Sequence, residues 1–258
     1  MSGFLFDKIV FGPVHSRRLG VSLGMNLLPT DHKICSFNCI YCECGWTKVS
    51  KIDKFTFPPA NIVKQFLEKK LIEMRDNNEL PEAISFAGNG EPTLHPEFAE
   101  IINNTIELRN QYSPKSKVDV LSNATMLHLP NVVNALKKVD MNILKLDAGT
   151  EETYRNINCP LTDITLEKIV AGLKQFTSNL IIQTLFVRGE LNGKIIDNTT
   201  ETEVNEWLKY LRDIKPDLVM IYPIARATPA KGLEKVSMNE LEIIASKVKK
   251  FGFKTEVY

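Results

Sequence analysis

Three cysteines constrain this chain more than any other feature. Cys35, Cys39 and Cys42 stand at C-x3-C-x2-C spacing in Cys35-Ser36-Phe37-Asn38-Cys39-Ile40-Tyr41-Cys42, with an aromatic residue directly before the last. Four of the five cysteines in the 258 residues fall between Cys35 and Cys44, a density that burial alone rarely produces. Thiolates so close together converge on a metal centre, and soft sulfur selects iron–sulfur clusters or zinc. A zinc site would take four ligands, usually as two half-sites separated by a longer loop. No second C-x2-C or histidine pair follows here. Three cysteines hold three irons of a [4Fe–4S] cluster and leave the fourth iron open to another ligand. Zinc, another cluster type and incidental thiols are the rival readings.

Cys35, Cys39, Tyr41 and Cys42 together resemble the signature of the radical S-adenosylmethionine (SAM) superfamily, C-x3-C-x-aromatic-C. The resemblance implies that the open iron chelates the amino and carboxylate groups of SAM. An electron from the cluster then cleaves the sulfonium to methionine and a 5′-deoxyadenosyl radical. It also implies a partial (β/α)6 barrel and an external electron donor of the flavodoxin or ferredoxin type. Cys44 reads as a stray thiol near the cluster rather than an auxiliary ligand, and Phe37 and Trp46 as its shield from solvent.

With 43% hydrophobic residues, 24% charged and a formal net charge of +1, the composition is that of an ordinary globular protein. It advertises neither nucleic acid nor an anionic membrane. The start lacks a basic segment followed by a sustained apolar run, and no stretch approaches the roughly 18 apolar residues of a membrane span. Clustered, odd-numbered cysteines do not read as a disulfide framework. The expected setting is cytoplasmic.

Residues 1–34 read as irregular and rich in Gly, Pro and Arg, apart from a first strand over 21–28. The cysteine loop is expected to run to about Ser50. Short apolar runs at 83–87, 118–121, 142–147, 180–187 and 218–222 then alternate with helical patterns at 60–75, 96–110, 130–138, 166–176, 201–214 and 238–251. In the first helix Ile62, Phe66, Leu71 and Ile72 form the apolar face, and Pro96 suits a first helical position. A short strand at 254–257 is possible. Strands alternating with helices imply an α/β fold, a parallel sheet with helices outside it. Six β/α units suit a partial barrel, read as one domain over 1–258 with an irregular N-terminal extension, 1–20.

In such a barrel, function gathers at the C-terminal ends of the strands. After the second strand comes Gly88-Asn89-Gly90-Glu91-Pro92, where glycine admits close backbone approach and Glu91 offers an acceptor to an ammonium group. This is similar to the family's Gly-Gly-Glu-Pro motif, with Asn89 in place of the first glycine. The third strand ends in Ser122-Asn123-Ala124, a partial match to a Thr-Asn-Gly element that the resemblance directs at SAM. Lys145 and Asp147 share one face of the fourth strand. They are read as SAM or substrate ligands in the barrel mouth, with a structural ion pair as the alternative.

Cys159, in a loop beyond that strand, is a candidate hydrogen-atom donor, covalent or cluster-binding thiol, against an ordinary loop cysteine. Gln183, Thr184, Tyr222 and Arg226 complete the expected pocket wall, and Ile221–Ile224 the seat for adenine. Arg17 and Arg18 suit a phosphate or carboxylate. None of the four histidines makes a metal constellation, and His95 reads as a helix cap.

The segment Gly12-Pro13-Val14-His15-Ser16-Arg17-Arg18-Leu19-Gly20 loosely resembles radical SAM proteins grouped near the wyosine-tRNA synthases. Chemistry on a small-molecule or peptidyl substrate ranks first and tRNA modification second, because neither a further cluster nor a basic tRNA-binding surface is evident. A non-catalytic iron–sulfur or zinc protein is the reading from another class. Gly90, Glu91 and Asn123 count against it, since a carrier needs no SAM pocket.

Overall fold

Strands joined by helix-length connections pair in parallel, and the chain makes six such pairings. The computed structural model describes residues 3–16, 18–47 and 57–258. Strand β1 (Val10–Ser16) turns back antiparallel onto β2 (Gly20–Met25). From β2 the parallel sheet continues through β3 (Ala83–Phe86), β4 (Lys117–Ser122), β5 (Met141–Lys145) and β6 (Leu180–Leu191). Beside β6, β7 (Lys194–Asp197) pairs antiparallel, while β8 (Leu218–Pro223) extends the parallel sheet. A short β9 (Leu233–Lys235) also flanks β6, and β10 (Thr255–Val257) closes the order β1-β2-β3-β4-β5-β6-β8-β10. The helices are α1 (Ala60–Asp76), α2 (Phe98–Tyr112), α3 (Pro130–Leu136), α4 (Glu151–Asn158), α5 (Leu166–Leu173), α6 (Glu201–Ile214) and α7 (Met238–Lys250). None of them is long and apolar enough to cross a membrane, among the described residues.

Parallel strands covered on both faces read as unbroken apolar runs, and neighbours along a strand point to opposite faces. Val118, Val120, Leu144 and Ile182 join the large core shared with the helices. On the other face, Ile143, Ile181 and Met220 form a separate cluster with Leu19, Leu121 and Tyr258 packed against it. That second cluster is the barrel interior, and it carries the polar positions of the site.

Six β/α units are present as expected, and the possible strand at 254–257 is β10, a seventh parallel strand. Several local expectations shift. The segment read as irregular contains β1, whose pairing slips between Phe11 and Val14, across Gly12 and Pro13. Helix α1 buries Ala60, Val63, Leu67, Leu71 and Met74, whereas Phe66 is 52% exposed. The buried stripe is therefore rotated from the expected one. Pro96 precedes α2, whose N-cap is Glu97. Helix α4, short and polar, is absent from the expected pattern; Thr150 caps it by accepting from the Thr153 N–H.

Trp207 of α6 ties the outer layer to the sheet. It is 2% exposed, meets Phe186 edge to face at 5.4 Å, and its indole N–H donates to the Leu146 carbonyl at 3.2 Å. Truncation removes this packing and leaves a cavity. Trp207→Ala is expected to lose about 3–5 kcal/mol of stability, read as a lower midpoint in denaturant titration; an unchanged midpoint would refute this role.

Candidate active site

The cysteine loop lies over the C-terminal ends of the strands because its backbone is pinned on three sides. Ile34 N–H donates to Asn89 O at 2.9 Å and Glu91 N–H to Ile34 O at 3.0 Å. Asn38 N–H reaches Asn158 O and Cys159 O, both at 3.0 Å, and Ile40 N–H reaches Ile157 O at 3.0 Å. Ala230 N–H completes the set on Ile40 O at 3.2 Å. Gly90 is required at the first anchor: its φ is +140°, and a Cβ there would run into the Ile34 carbonyl. Asn89 has its own task where a glycine was expected. Its side chain accepts from Phe6 N–H at 2.8 Å and donates to the carbonyls of Phe6 and Pro29 at 2.9 and 2.8 Å, tying down the N-terminal segment.

Beneath the loop is a cavity of about 630 Å³, a size suited to small ligands. Cys35, Cys39 and Cys42 line it with Tyr41, Gly90, Glu91, Ser122 and Asn123, and Lys145 and Gln183 line it from the neighbouring strands. Tyr222, Pro223, Ile224 and Arg226 also face it, as expected, whereas Ile221 is fully buried away from it. Burial raises the thiol of Cys35 to about 12 and that of Cys39 to about 11, so without a bound metal both stay protonated. Cys42 is shifted the other way: hydrogen bonding from Cys44 lowers it, against burial and with help from Lys33. Burial also works against charge on Lys33, but Cys42, Cys35 and Cys39 outweigh it and raise its pKa. A buried ammonium facing three sulfurs is a fit partner for an anionic thiolate cluster. Among the described residues, no three His, Cys, Asp or Glu groups converge tightly enough for a single metal ion.

Glu91 lines the cavity but is already committed. One oxygen accepts from the Thr93 N–H at 3.1 Å, the Thr93 hydroxyl and the Ser122 hydroxyl at 2.7 Å; the other accepts from the Asn123 N–H at 2.6 Å. Burial raises its pKa and these donors oppose the shift. Asn123 in turn donates to Ser36 Oγ at 2.9 Å. Ser122 and Asn123 thus join the Gly90-Glu91 turn to the cysteine loop.

Asp147 and Cys159 do not line the cavity. Asp147 is 2% exposed and sits behind its wall as a junction. It accepts from the Tyr41 hydroxyl, from Asn158 Nδ2 at 2.8 Å and from the Leu185 N–H at 2.9 Å, with Lys145 Nζ at 3.6 Å. The Tyr41 hydroxyl, buried against this carboxylate, is raised well above its ordinary pKa. The alternation rule does put Lys145 and Asp147 on one face, but the chain leaves β5 at Lys145 and carries Asp147 under Tyr41. Cys159 is the left-handed C-cap of α4, with φ 43°, and its thiol donates to Asn156 O at 3.4 Å. It supports the cysteine loop through its backbone. Thr184 also turns away, donating to Leu146 O at 2.8 Å. Cys44 lines the cavity with its thiol 3.5 Å from Gly88 O, and Phe37 is buried there. Trp46 is 39% exposed and lines no part of it. His95 does not cap α2 as expected: it accepts from the N–H of Glu97, itself the N-cap, at 3.0 Å. The expected loop end at Ser50, like Arg17, lies outside the described residues.

Residues 31–190, more than half of the chain, match the model of the radical SAM superfamily, and the chain belongs to that superfamily. Among its relatives is the UPF0026 protein of Synechocystis sp., 32% identical over 85% of this chain and 77% of that protein. A Brachyspira hyodysenteriae protein named GTPase Obg is 31% identical over 92% of this chain, which spans only 33% of that protein. A solved structure of TYW1 with a lysine–pyruvate adduct bound aligns with a TM-score of 0.64 at 16% identity, covering 89% of this chain and 73% of that one. The last likeness is one of fold: a mostly parallel sheet with outer helices, as in partial TIM barrels.

Two outcomes follow. Gly90→Ala is expected to displace the cysteine loop, so that anaerobic reconstitution loads well under half the iron of the wild type, counted per folded protein; full loading would show that the Ile34 contact is dispensable. Deeper in the barrel, burial raises Asp119 from its ordinary 3.8 to about 7, against a hydrogen bond from Ser85 and the charge of Arg18. A carboxyl with a raised folded pKa holds its proton longer when folded, so its stabilisation is full below 3.8 and lost as pH rises through about 7. The stability of wild type relative to Asp119→Asn should therefore fall across that window, by up to about 1.4 kcal/mol per pH unit, in denaturation series at stepped pH.

Proposed function

We propose that Cys35, Cys39 and Cys42 hold a [4Fe–4S] cluster and that the chain works as a radical SAM enzyme on a small-molecule or peptidyl substrate. The observation that carries this reading is the convergence of the three motif thiols with Gly90, Glu91, Asn123, Lys145 and Gln183 on one cavity at the strand ends. Bound there, the cluster and SAM would together supply a 5′-deoxyadenosyl radical for hydrogen abstraction.

The chain's own residues shape that chemistry by position and charge. Lys33 balances the thiolates, and Phe37, 2% exposed, covers them on one side. The Gly90-Glu91 turn would present its backbone to the cofactor's ammonium end, while Thr93, Ser122 and Asn123 hold the Glu91 carboxylate in place. Lys145 offers a cation: burial works against its charge, but Asp147, the Tyr222 hydroxyl and Cys39 outweigh this and hold it protonated. A flavodoxin- or ferredoxin-type donor would supply the electron. The likeness to TYW1 concerns the fold, so tRNA stays the second reading for the substrate.

The test is anaerobic reconstitution with iron and sulfide, then reductant and SAM, with 5′-deoxyadenosine measured by mass spectrometry. The wild type should form it, and Cys39→Ala should lose both the cluster absorbance and the product. A fully loaded protein that neither binds nor cleaves SAM would instead be an iron–sulfur carrier.

A further inference from the structure

The cavity has a second half, away from the thiols, and its charge is one-sided. Arg18 enters it from the turn between β1 and β2, its guanidinium carbon 4.9 Å from the centroid of the Tyr222 ring. Lys145 donates to the Tyr222 hydroxyl at 3.3 Å. A polar line thus runs from beside Cys39 through Lys145 and Tyr222 to Arg18. At the rim stand Arg226 and Lys235. The acids nearby are few. Glu43 is taken by Arg226 at 2.6 Å, and Asp147 lies behind the wall 3.6 Å from Lys145. Asp119 faces Arg18 from beneath without an ion pair within 4.0 Å, and it accepts instead from Ser85 Oγ at 2.7 Å. Arg18 and Lys235 are left without an ion-pair partner among the described residues, where Arg18 Nη1 and Asp119 Oδ1 are each buried without a hydrogen-bond partner.

A buried guanidinium nitrogen without an acceptor is costly unless a ligand supplies one. Carboxylate and phosphate oxygens match its fork. Resting on the radical SAM reading above, we propose that this half of the cavity is the substrate subsite, and that Arg18, over the Tyr222 ring, binds a carboxylate or phosphate group of a small-molecule substrate. Lys235 adds attraction at the mouth. The anchor lies inside the barrel, so the anionic end of the substrate enters first and its body lies along Tyr222 towards Lys145 and the cofactor.

The test is calorimetric titration of the cluster-loaded, SAM-saturated protein with inorganic pyrophosphate and, separately, succinate. At least one should bind without displacing SAM, and the stronger of the two identifies phosphate or carboxylate as the recognised group. Arg18→Gln should weaken that affinity about tenfold or more, and Arg18→Lys should recover part of it. Melting of the apoprotein checks that each variant is folded. Should Arg18→Gln fail to fold, Lys235→Gln, altered at an exposed position, should still weaken binding about twofold to threefold. Binding of neither anion, equal binding to folded Arg18→Gln, or displacement of SAM by the anion would each overturn the subsite. The titration needs no turnover, so a protein that binds the anion through Arg18 yet never cleaves SAM would sink the radical reading and leave the anion site standing.

Discussion

The structure depends on keeping one carboxylate dry and fully partnered. Asp147 is removed from water at the point where three parts of the chain meet: the cysteine loop through Tyr41, the end of α4 through Asn158, and β6 through the Leu185 N–H. Burying a charge is tolerable only with this degree of pairing. Each partner is therefore held in place by the same need. The aromatic residue before Cys42 thereby gains a physical role, since its hydroxyl fastens the loop to the barrel while its ring lies 5.1 Å from the Lys145 ammonium.

Around that junction the barrel divides its labour between two faces. The outer face is apolar and joins strand to helix, as where Trp207 meets Phe186. The inner face has a small apolar floor at Ile143, Ile181 and Met220. Beside it the interior turns polar, with Ser85 and Asp119 buried and Gln183 and Lys145 lining the cavity. Polar side chains inside a barrel survive where they hydrogen-bond one another, as Ser22, Ser85 and Asp119 do, or where a ligand completes them. Among the described residues Arg18 Nη1 and Asp119 Oδ1 are buried in this wall without a partner.

The parts legible in the sequence were those with a local signature. Cysteine spacing, the Gly90-Glu91-Pro92 turn and apolar runs set between helical patterns placed the thiols, the turn and six parallel strands, because spacing along the chain fixes each of them directly. The less legible parts have no local signal. Strand β1 is broken by Gly12 and Pro13, α4 is too short and polar to show a stripe, and the stripe of α1 turns on which side meets the sheet. Phe66 is as apolar as Leu67, yet only Leu67 is covered. Lys235 and Tyr258 line the cavity from segments with no motif at all, near the end of the chain.

The sequence by itself determined the class of chemistry and the order of the layers, since metal-ligand spacing and hydrophobic period are properties of neighbouring residues. Only the tertiary structure decided which reactive side chains face the reaction space. Lys145 and Asp147 have the same alternation and opposite fates, one lining the cavity and the other sealed behind Tyr41. Cys159 turns its thiol to Asn156 O and gives the cysteine loop only a backbone carbonyl. Arg18 lies far in sequence from Tyr222 and meets it because the parallel sheet brings the β1–β2 turn and β8 to one interior. Such long-range closure is a sum of many weak packing choices, and no short stretch of the chain encodes it.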